Sequence, residues 1–355
     1  MLQLQISKIL NSFALDIFGW TPLQQPITIS LYKDWIDSKK NGSMNYLVDH
    51  YEKKKNPNNL SLDSRKANSA IVIGVKYAPV HPAPFTVEQN KLSHLNTALY
   101  SRGQDYHFWL KELLNQLINK LRLEFPDEDF VSWTDSGPVL ERDLALRAGL
   151  GWIGKNTCLI NKNEGSLFLL GEVFTTLNLE NNNPLSGNFC GDCDICIKAC
   201  PTQALDQNYH LDATKCISYW TIESKETPNE QLRSQFGDLI FGCDICQLVC
   251  PWNKKKLLNA LDQSQNSTPN NVNNYREKQI EELKWILTSS NKTLQKTLAH
   301  TAYSRSAGLK LKRNALIVIG NLKIKELTST VKQFLGHNEL DTLAKWTIKL
   351  LSDNP

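Results

Sequence analysis

Cys190-Gly-Asp-Cys193-Asp-Ile-Cys196-Ile-Lys-Ala-Cys200-Pro201 is followed, after a lone Cys216, by Cys243-Asp-Ile-Cys246-Gln-Leu-Val-Cys250-Pro251. Eight of the nine cysteines of this 355-residue chain lie in that window, and both runs close on Cys-Pro. A cubane iron–sulfur cluster takes four thiolates, and in runs of the first spacing the fourth Cys serves the neighbouring cluster. Crossing the runs by that rule gives one set of Cys190, Cys193, Cys196 and Cys250. The other set takes Cys200, Cys243 and Cys246, with Cys216 supplying the ligand that the shorter second run lacks. No thiol of the window is left over, so two 4Fe-4S clusters are expected.

Tetrahedral zinc also uses Cys-x2-Cys pairs, but a third Cys at the same spacing and a fourth before Pro have no place in a zinc ribbon. A disulfide framework belongs to oxidising compartments. The opening MLQLQISKIL has no cleavable signal pattern, so a cytoplasmic location with reduced thiols is expected. Cys158, the ninth, reads as a small buried apolar residue.

The length favours two or three domains. No apolar run approaches the ~20 residues of a membrane span, so no membrane partner is expected. The net charge of +4 is unevenly spread: Arg276 to Pro355 carries 14 Lys and Arg against 7 Asp and Glu, or +7, leaving −3 for everything before it. A basic tail on a slightly acidic body suits a polyanionic partner, although a solvated helical surface has the same composition.

Upstream of the cysteines, Ser69-Ala-Ile-Val-Ile-Gly-Val-Lys-Tyr77 reads as a buried strand, closed by Pro79 and Pro82. Phe108 to Phe125 repeats apolar residues at helical spacing (Leu110, Leu114, Leu117, Leu121), which places Tyr106 and His107 at the start of that helix. Asn161-Lys-Asn-Glu-Gly165, between two apolar runs, is a hairpin signature. Residues 1–186 are therefore expected to be an α+β domain with an antiparallel or mixed sheet, and residues 187–252 the cluster domain. Residues 253–275 read as a polar linker, and 276–355 as short amphipathic helices stacked into a small solenoid with an elongated face.

Electrons held by two clusters end at a partner protein or at an internal site. The best internal candidate is Trp133-Thr-Asp135-Ser-Gly-Pro138-Val-Leu-Glu141-Arg142, with Asp135 in a turn ahead of a helix that starts near Val139. Gly149, Gly151 and Gly154 would let the backbone approach a large flat ligand. By its position alone, Asp135 reads first as a helix-capping carboxylate with Arg142 as its ion-pair partner.

That string, together with Arg147-Ala-Gly-Leu-Gly-Trp-Ile-Gly-Lys155-Asn156, Ser101-Arg-Gly-Gln-Asp-Tyr106-His107 and the ending Phe241-Gly-Cys243 to Trp252-Asn253, resembles the signature of the epoxyqueuosine reductases, cobalamin-dependent enzymes of tRNA modification. Arg313-Asn-Ala-x4-Gly320-Asn321 is similar to their HEAT-like tail. The resemblance spans nearly the whole chain. It implies an α+β fold in three parts: a corrinoid-binding domain similar to those of reductive dehalogenases and nitroreductases, a ferredoxin-like two-cluster domain, and C-terminal HEAT-like helical repeats.

The activity implied is the last step of queuosine synthesis, in which an epoxide on the wobble base of a tRNA is reduced to the cyclopentene with loss of water. Cobalamin (vitamin B12) would lie against the N-terminal domain. Asp135 matches the proton donor, Tyr106, His107 and Arg142 match pocket residues, and Lys155 and Asn156 match the cofactor-side loop. Where the family has an Arg before the first strand, this chain has Lys53-Lys-Lys-Asn-Pro57, so an ammonium contact to the cofactor is expected instead.

Reductive opening of an epoxide needs a strong electron donor at carbon and a proton for the departing oxygen. Burial beside an apolar surface and Trp133 is expected to raise the pKa of Asp135. The tRNA, carrying epoxyqueuosine in its anticodon loop, would set its phosphates against Lys310, Lys312, Arg313, Lys323 and Lys325, with Trp252 nearer the reacting nucleoside. A flavodoxin- or ferredoxin-type reductant and a monomeric protein are expected. The competing readings are a corrinoid dehalogenase-like enzyme acting on a small molecule and a two-cluster electron carrier of ferredoxin type.

Overall fold

The run from Ser69 to Gly74 has no polar face because both of its faces are covered. In this computed structural model, which describes residues 2–62, 65–77, 91–181, 187–254, 257 and 272–353, the strand Ser69–Lys76 sits inside a four-stranded sheet. It pairs antiparallel with Ile17–Pro22 on one side and with Phe168–Thr175 on the other. Phe130–Trp133 completes the sheet, antiparallel to Phe168–Thr175. Helices Leu2–Ser12 and Tyr106–Glu124 pack on Ile71, Ile73 and Val173. Helix Glu141–Arg147 packs Leu144 and Ala145 on the opposite face, against Ala70, Val72 and Phe174. Alternate residues of a strand point to opposite faces, so a sheet covered twice demands an unbroken apolar run. The antiparallel α+β expectation holds. Pro79, Pro82 and the polar stretch from Gln263 lie outside the described residues.

The hairpin expectation holds only at its tip. Asn161 and Gly165 form an isolated antiparallel bridge, but Leu159–Ile160 turns back on Trp152–Ile153 while Phe168–Thr175 enters the main sheet. The Asn253 side chain pulls the chain away there: its Oδ1 accepts from the Ser166 N–H at 2.7 Å. Gly165 has φ +71°, and a Cβ on it would stand 2.1 Å from that same oxygen, so the turn admits no side chain.

Leu309–Asn321 is buried along almost its whole length. It packs against helices Val272–Thr288 and Asp341–Ser352, and also against the strand Leu239–Phe241 and the helix Ile217–Ile222. Its apolar residues Leu311, Ala315, Leu316, Ile317, Val318 and Ile319 are buried, and so are the polar Arg313 and Asn314, because neighbouring segments surround it on several sides. One hydrophobic core therefore runs from Ile217, Ile240 and Phe241 into the C-terminal helices, and Leu92 and Leu95 enter it from the N-terminal half. Asn96–Thr97 adds a short parallel strand to Leu239–Phe241. Much of the elongated face expected of a solenoid is thus an internal contact. Among the described residues, no helix is long and apolar enough to cross a membrane.

Candidate active site

Among the described residues no group of three or more thiols is close enough together to hold a metal ion, but the thiols affect one another's ionisation within the two expected groups. Burial pushes Cys196 up to about 11, and Cys250, Cys190 and Cys193 add to the shift. Cys250 responds in turn to Cys190 and Cys193 after its own burial. Burial likewise pushes Cys243 up to about 12, with Cys216 and Cys200 contributing, and Cys246 is raised first by Cys158 and its own burial, and then by Cys243 and Cys216. Buried thiols gathered without a cation resist ionisation, and bound iron is what makes such a set favourable as thiolates. The donors therefore fit two clusters. Cys200 Sγ also accepts from the Ala204 N–H at 3.3 Å, the kind of bond that tunes a cluster.

Beside the second set lies a cavity of about 320 Å³. Cys158 lines it, and the neighbouring Cys246 thiol lowers its pKa, a placement that composition did not reveal. Tyr106, Asp135, Glu141 and Arg142 also line it. Asp135 has φ +56°, in the left-handed region, and its N–H donates to Glu141 Oε1 at 2.5 Å. Its Oδ2 accepts from the Tyr106 hydroxyl at 2.7 Å and lies 3.6 Å from His107 Nε2 and 3.5 Å from an Arg305 guanidinium nitrogen. Asp105 caps the Tyr106–Glu124 helix, accepting from the His107 N–H at 3.0 Å, and the same oxygen holds His107 Nδ1 at 2.7 Å. Asp135 is neither a helix cap nor the partner of Arg142, whose guanidinium donates to the Thr157 carbonyl.

This geometry reverses the expected charge state of Asp135. Burial does push its pKa up, but hydrogen bonds from His107 and Tyr106 and the charge of Arg305 outweigh burial and hold it below the ordinary range. His107 is pushed up to about 9, first by Asp105 and then by Asp135. At neutral pH the proton therefore rests on the imidazole, next to the carboxylate. Behind them, burial and then Asp135 raise Glu141 to about 7. Glu172, on the central strand, is fully buried, and neither of its oxygens has a partner in hydrogen-bonding geometry. Burial, with the Glu141 carboxyl beside it, raises its pKa well above the usual carboxylate value.

A carboxyl kept protonated only in the folded state stabilises the fold fully below its unfolded pKa, and that stability is lost as pH rises toward the folded pKa. Glu172→Gln, near-isosteric and neutral at every pH, should melt higher than the wild type. The gap should widen between pH 5 and 8 by up to about 1.4 kcal/mol per pH unit. Anaerobic melting curves across that range check this, and a gap independent of pH would contradict it.

The remaining sequence candidates fall into place differently. Asn156 is buried and donates to the Cys246 carbonyl at 3.3 Å, while its Oδ1 accepts from the Cys158 N–H. It ties the loop around Cys158 to the backbone at Cys246 rather than lining the cavity, and the buried Lys155 does not line it either. A Cβ on Gly151 would stand 2.0 Å from the Ile160 carbonyl oxygen, so that glycine serves chain-to-chain approach and not a flat ligand. From the Lys53–Lys55 run, Lys54 is the buried member, under the influence of Glu141 and Asp135. Arg313, expected on a phosphate, is 2% exposed and donates to the carbonyls of Trp220, Ser224 and Glu226. Lys310 donates to the Ile222 carbonyl at 2.6 Å, and Lys312 sits over the Phe334 ring. Lys323 and Lys325 are exposed. Arg305 was missed because nothing in its local sequence marks it.

A family model for a 4Fe-4S double cluster binding domain matches residues 189–253, and one described as Epoxyqueuosine reductase QueG, DUF1730, matches residues 43–136. The epoxyqueuosine reductase of Aliivibrio fischeri is 33% identical over 320 residues, which cover 89% of this chain and 82% of that one. The solved structure of epoxyqueuosine reductase from Streptococcus thermophilus is similar with a TM-score of 0.80 at 26% identity, covering 99% of this chain and 91% of the other. A crystal structure of epoxyqueuosine reductase with an epoxyqueuosine-modified tRNA-Tyr stem loop gives 0.74 at 25% identity over 99% of both chains. Identity of this size along almost the entire sequence is family membership: the chain belongs to the epoxyqueuosine reductases, which are oxidoreductases.

Proposed function

We propose that this chain reduces the epoxide of an epoxyqueuosine-modified tRNA to the alkene, with Asp135 delivering protons. The observation that carries this reading is a carboxylate held by Tyr106 and His107 in a cavity that is also lined by Cys158, itself in contact with the Cys246 thiol. The overall change consumes two electrons and two protons: both C–O bonds of the epoxide break, a C=C bond forms, and the oxygen leaves as water. Cobalamin, held against the cavity lined by Tyr106, Asp135, Glu141 and Arg142, would supply a strong reductant at carbon, and the thiols of Cys190–Cys250 would hold the clusters that supply electrons.

The chain's own residues manage the protons. The imidazolium of His107 faces Asp135, and Tyr106 donates to the same oxygen. Asp135 therefore relays a proton stored on His107 rather than keeping one of its own. Glu141 holds the Asp135 amide, which fixes the left-handed turn that aims the carboxylate. The buried ammonium of Lys54 lies on the same side and suits an anionic group of the cofactor. Lys312, Lys323 and Lys325 remain as phosphate contacts for the tRNA. On this reading the protein works as a cytoplasmic monomer fed by a flavodoxin- or ferredoxin-type reductant.

The test is anaerobic reconstitution with iron, sulfide and cobalamin. About eight irons per chain, corrin absorption bands, and loss of one oxygen from a modified stem loop under reduction are the expected results. Far fewer irons, or no association with the corrinoid, would overturn the proposal.

A further inference from the structure

Arg305 belongs to the C-terminal helical part, where it ends the short helix Ala302–Arg305, yet its guanidinium reaches Asp135, which lines the active-site cavity. One nitrogen is 3.5 Å from Asp135 Oδ2 and 4.0 Å from Glu223 Oε1, and the side chain is 45% exposed. Its backbone is firmly seated. Tyr303 is fully buried against Phe241, with its hydroxyl donating to Thr97 Oγ1 at 3.2 Å, and the His300 carbonyl accepts from the Asp105 N–H at 2.8 Å. The segment is thus anchored to the N-terminal half at His300 and Tyr303, with the long Arg305 side chain reaching Asp135.

The two carboxylates hold it loosely. Both separations exceed the ~2.7–2.9 Å of a charge-assisted hydrogen bond. The fork of donors on a guanidinium matches two oxygens of one group, a geometry that a phosphodiester offers and these two separate carboxylates do not. A nucleoside that enters this cavity while still part of a polynucleotide brings a phosphodiester on each side close to Asp135, within reach of the long Arg305 side chain.

We infer that Arg305 binds the phosphodiester flanking the reacting nucleoside, exchanging its loose contact with Asp135 for a forked contact to phosphate when substrate enters. This rests on the tRNA reading above and goes further by naming the residue and the chemical group. The exchange removes one positive neighbour from Asp135. It leaves His107 and Tyr106 on one side and Glu141 with Lys54 on the other, which favours the protonated acid once substrate is in place.

The experiment uses full-length reconstituted protein and the epoxyqueuosine-modified stem loop, with affinity measured over a series of salt concentrations. Arg305→Gln should weaken binding about tenfold and lower the steepness of the salt dependence by about 0.7–0.9, the share of one phosphate. Arg305→Lys should restore the steepness but only part of the affinity, because an ammonium is a point charge without the fork. Melting curves equal to the wild type establish that both variants are folded. Wild-type affinity and wild-type salt dependence in a folded Arg305→Gln protein would overturn the inference while leaving the tRNA reading intact. If the wild type itself does not bind the stem loop, the tRNA reading fails and this inference fails with it.

Discussion

Asp135→Asn should lower the single-turnover rate of the reduced, reconstituted enzyme by about 10²- to 10⁴-fold, the range for loss of a positioned proton donor. The amide keeps the shape of the side chain and can still accept from the Tyr106 hydroxyl, so iron content, corrin spectrum and melting temperature should stay near wild type. What it cannot do is take the proton from His107 and pass it on. His107→Gln should show the companion effect. With the imidazole at about 9 in the wild type, the rate should fall as pH rises through that value, and the variant should already be slow at neutral pH. Full turnover by Asp135→Asn with the cofactor bound would remove Asp135 from the chemistry. A wild-type profile flat through pH 9 would remove His107 as the store.

Truncation after Tyr275 should unfold the region of the second thiol set rather than merely weaken binding to nucleic acid. The missing helices include Leu311, Ala315, Leu316 and Ile319, which share one core with Ile217, Ile240 and Phe241. Exposing those three costs about 1.5–3 kcal/mol each, a large part of the stability of an ordinary domain. The carbonyls of Trp220, Thr221, Ile222, Ser224 and Ile240 would also lose their donors Lys310, Arg313 and Asn314. Because Cys216, Cys243 and Cys246 border these segments, iron should fall toward about four per chain, or the protein should aggregate. Arg313→Ala is the point version and should cost about 3 kcal/mol or more, since it strands several buried carbonyls at once. A truncated protein with its full iron complement and an unchanged melting temperature would refute the shared core.

The sequence was most readable where local chemistry repeats at fixed spacing. The cysteine runs announced a two-cluster domain, and the helix from Tyr106 and the strand from Ser69 announced themselves by periodicity. Asp135 was singled out by its turn, but its charge state was misread. Burial is the part of its environment that composition suggests. The hydrogen bonds and charges that oppose burial come from residues 28 positions before it and 170 positions after it, His107 and Arg305. Arg313 was misread for a related reason: a basic residue on a basic helix looks solvated until a neighbouring segment is seen to surround it.

Residue order alone, then, pointed to a two-cluster centre, an α+β body, a helical tail and the turn that carries Asp135, because spacing and periodicity are written along the chain. Tertiary structure alone decided three further points: that the tail shares a core with the cluster region, that Arg305 reaches Asp135, and that the proton rests on His107. These depend on which distant groups come within a few ångströms of each other, and electrostatics and burial act through space, where separation along the chain has no bearing.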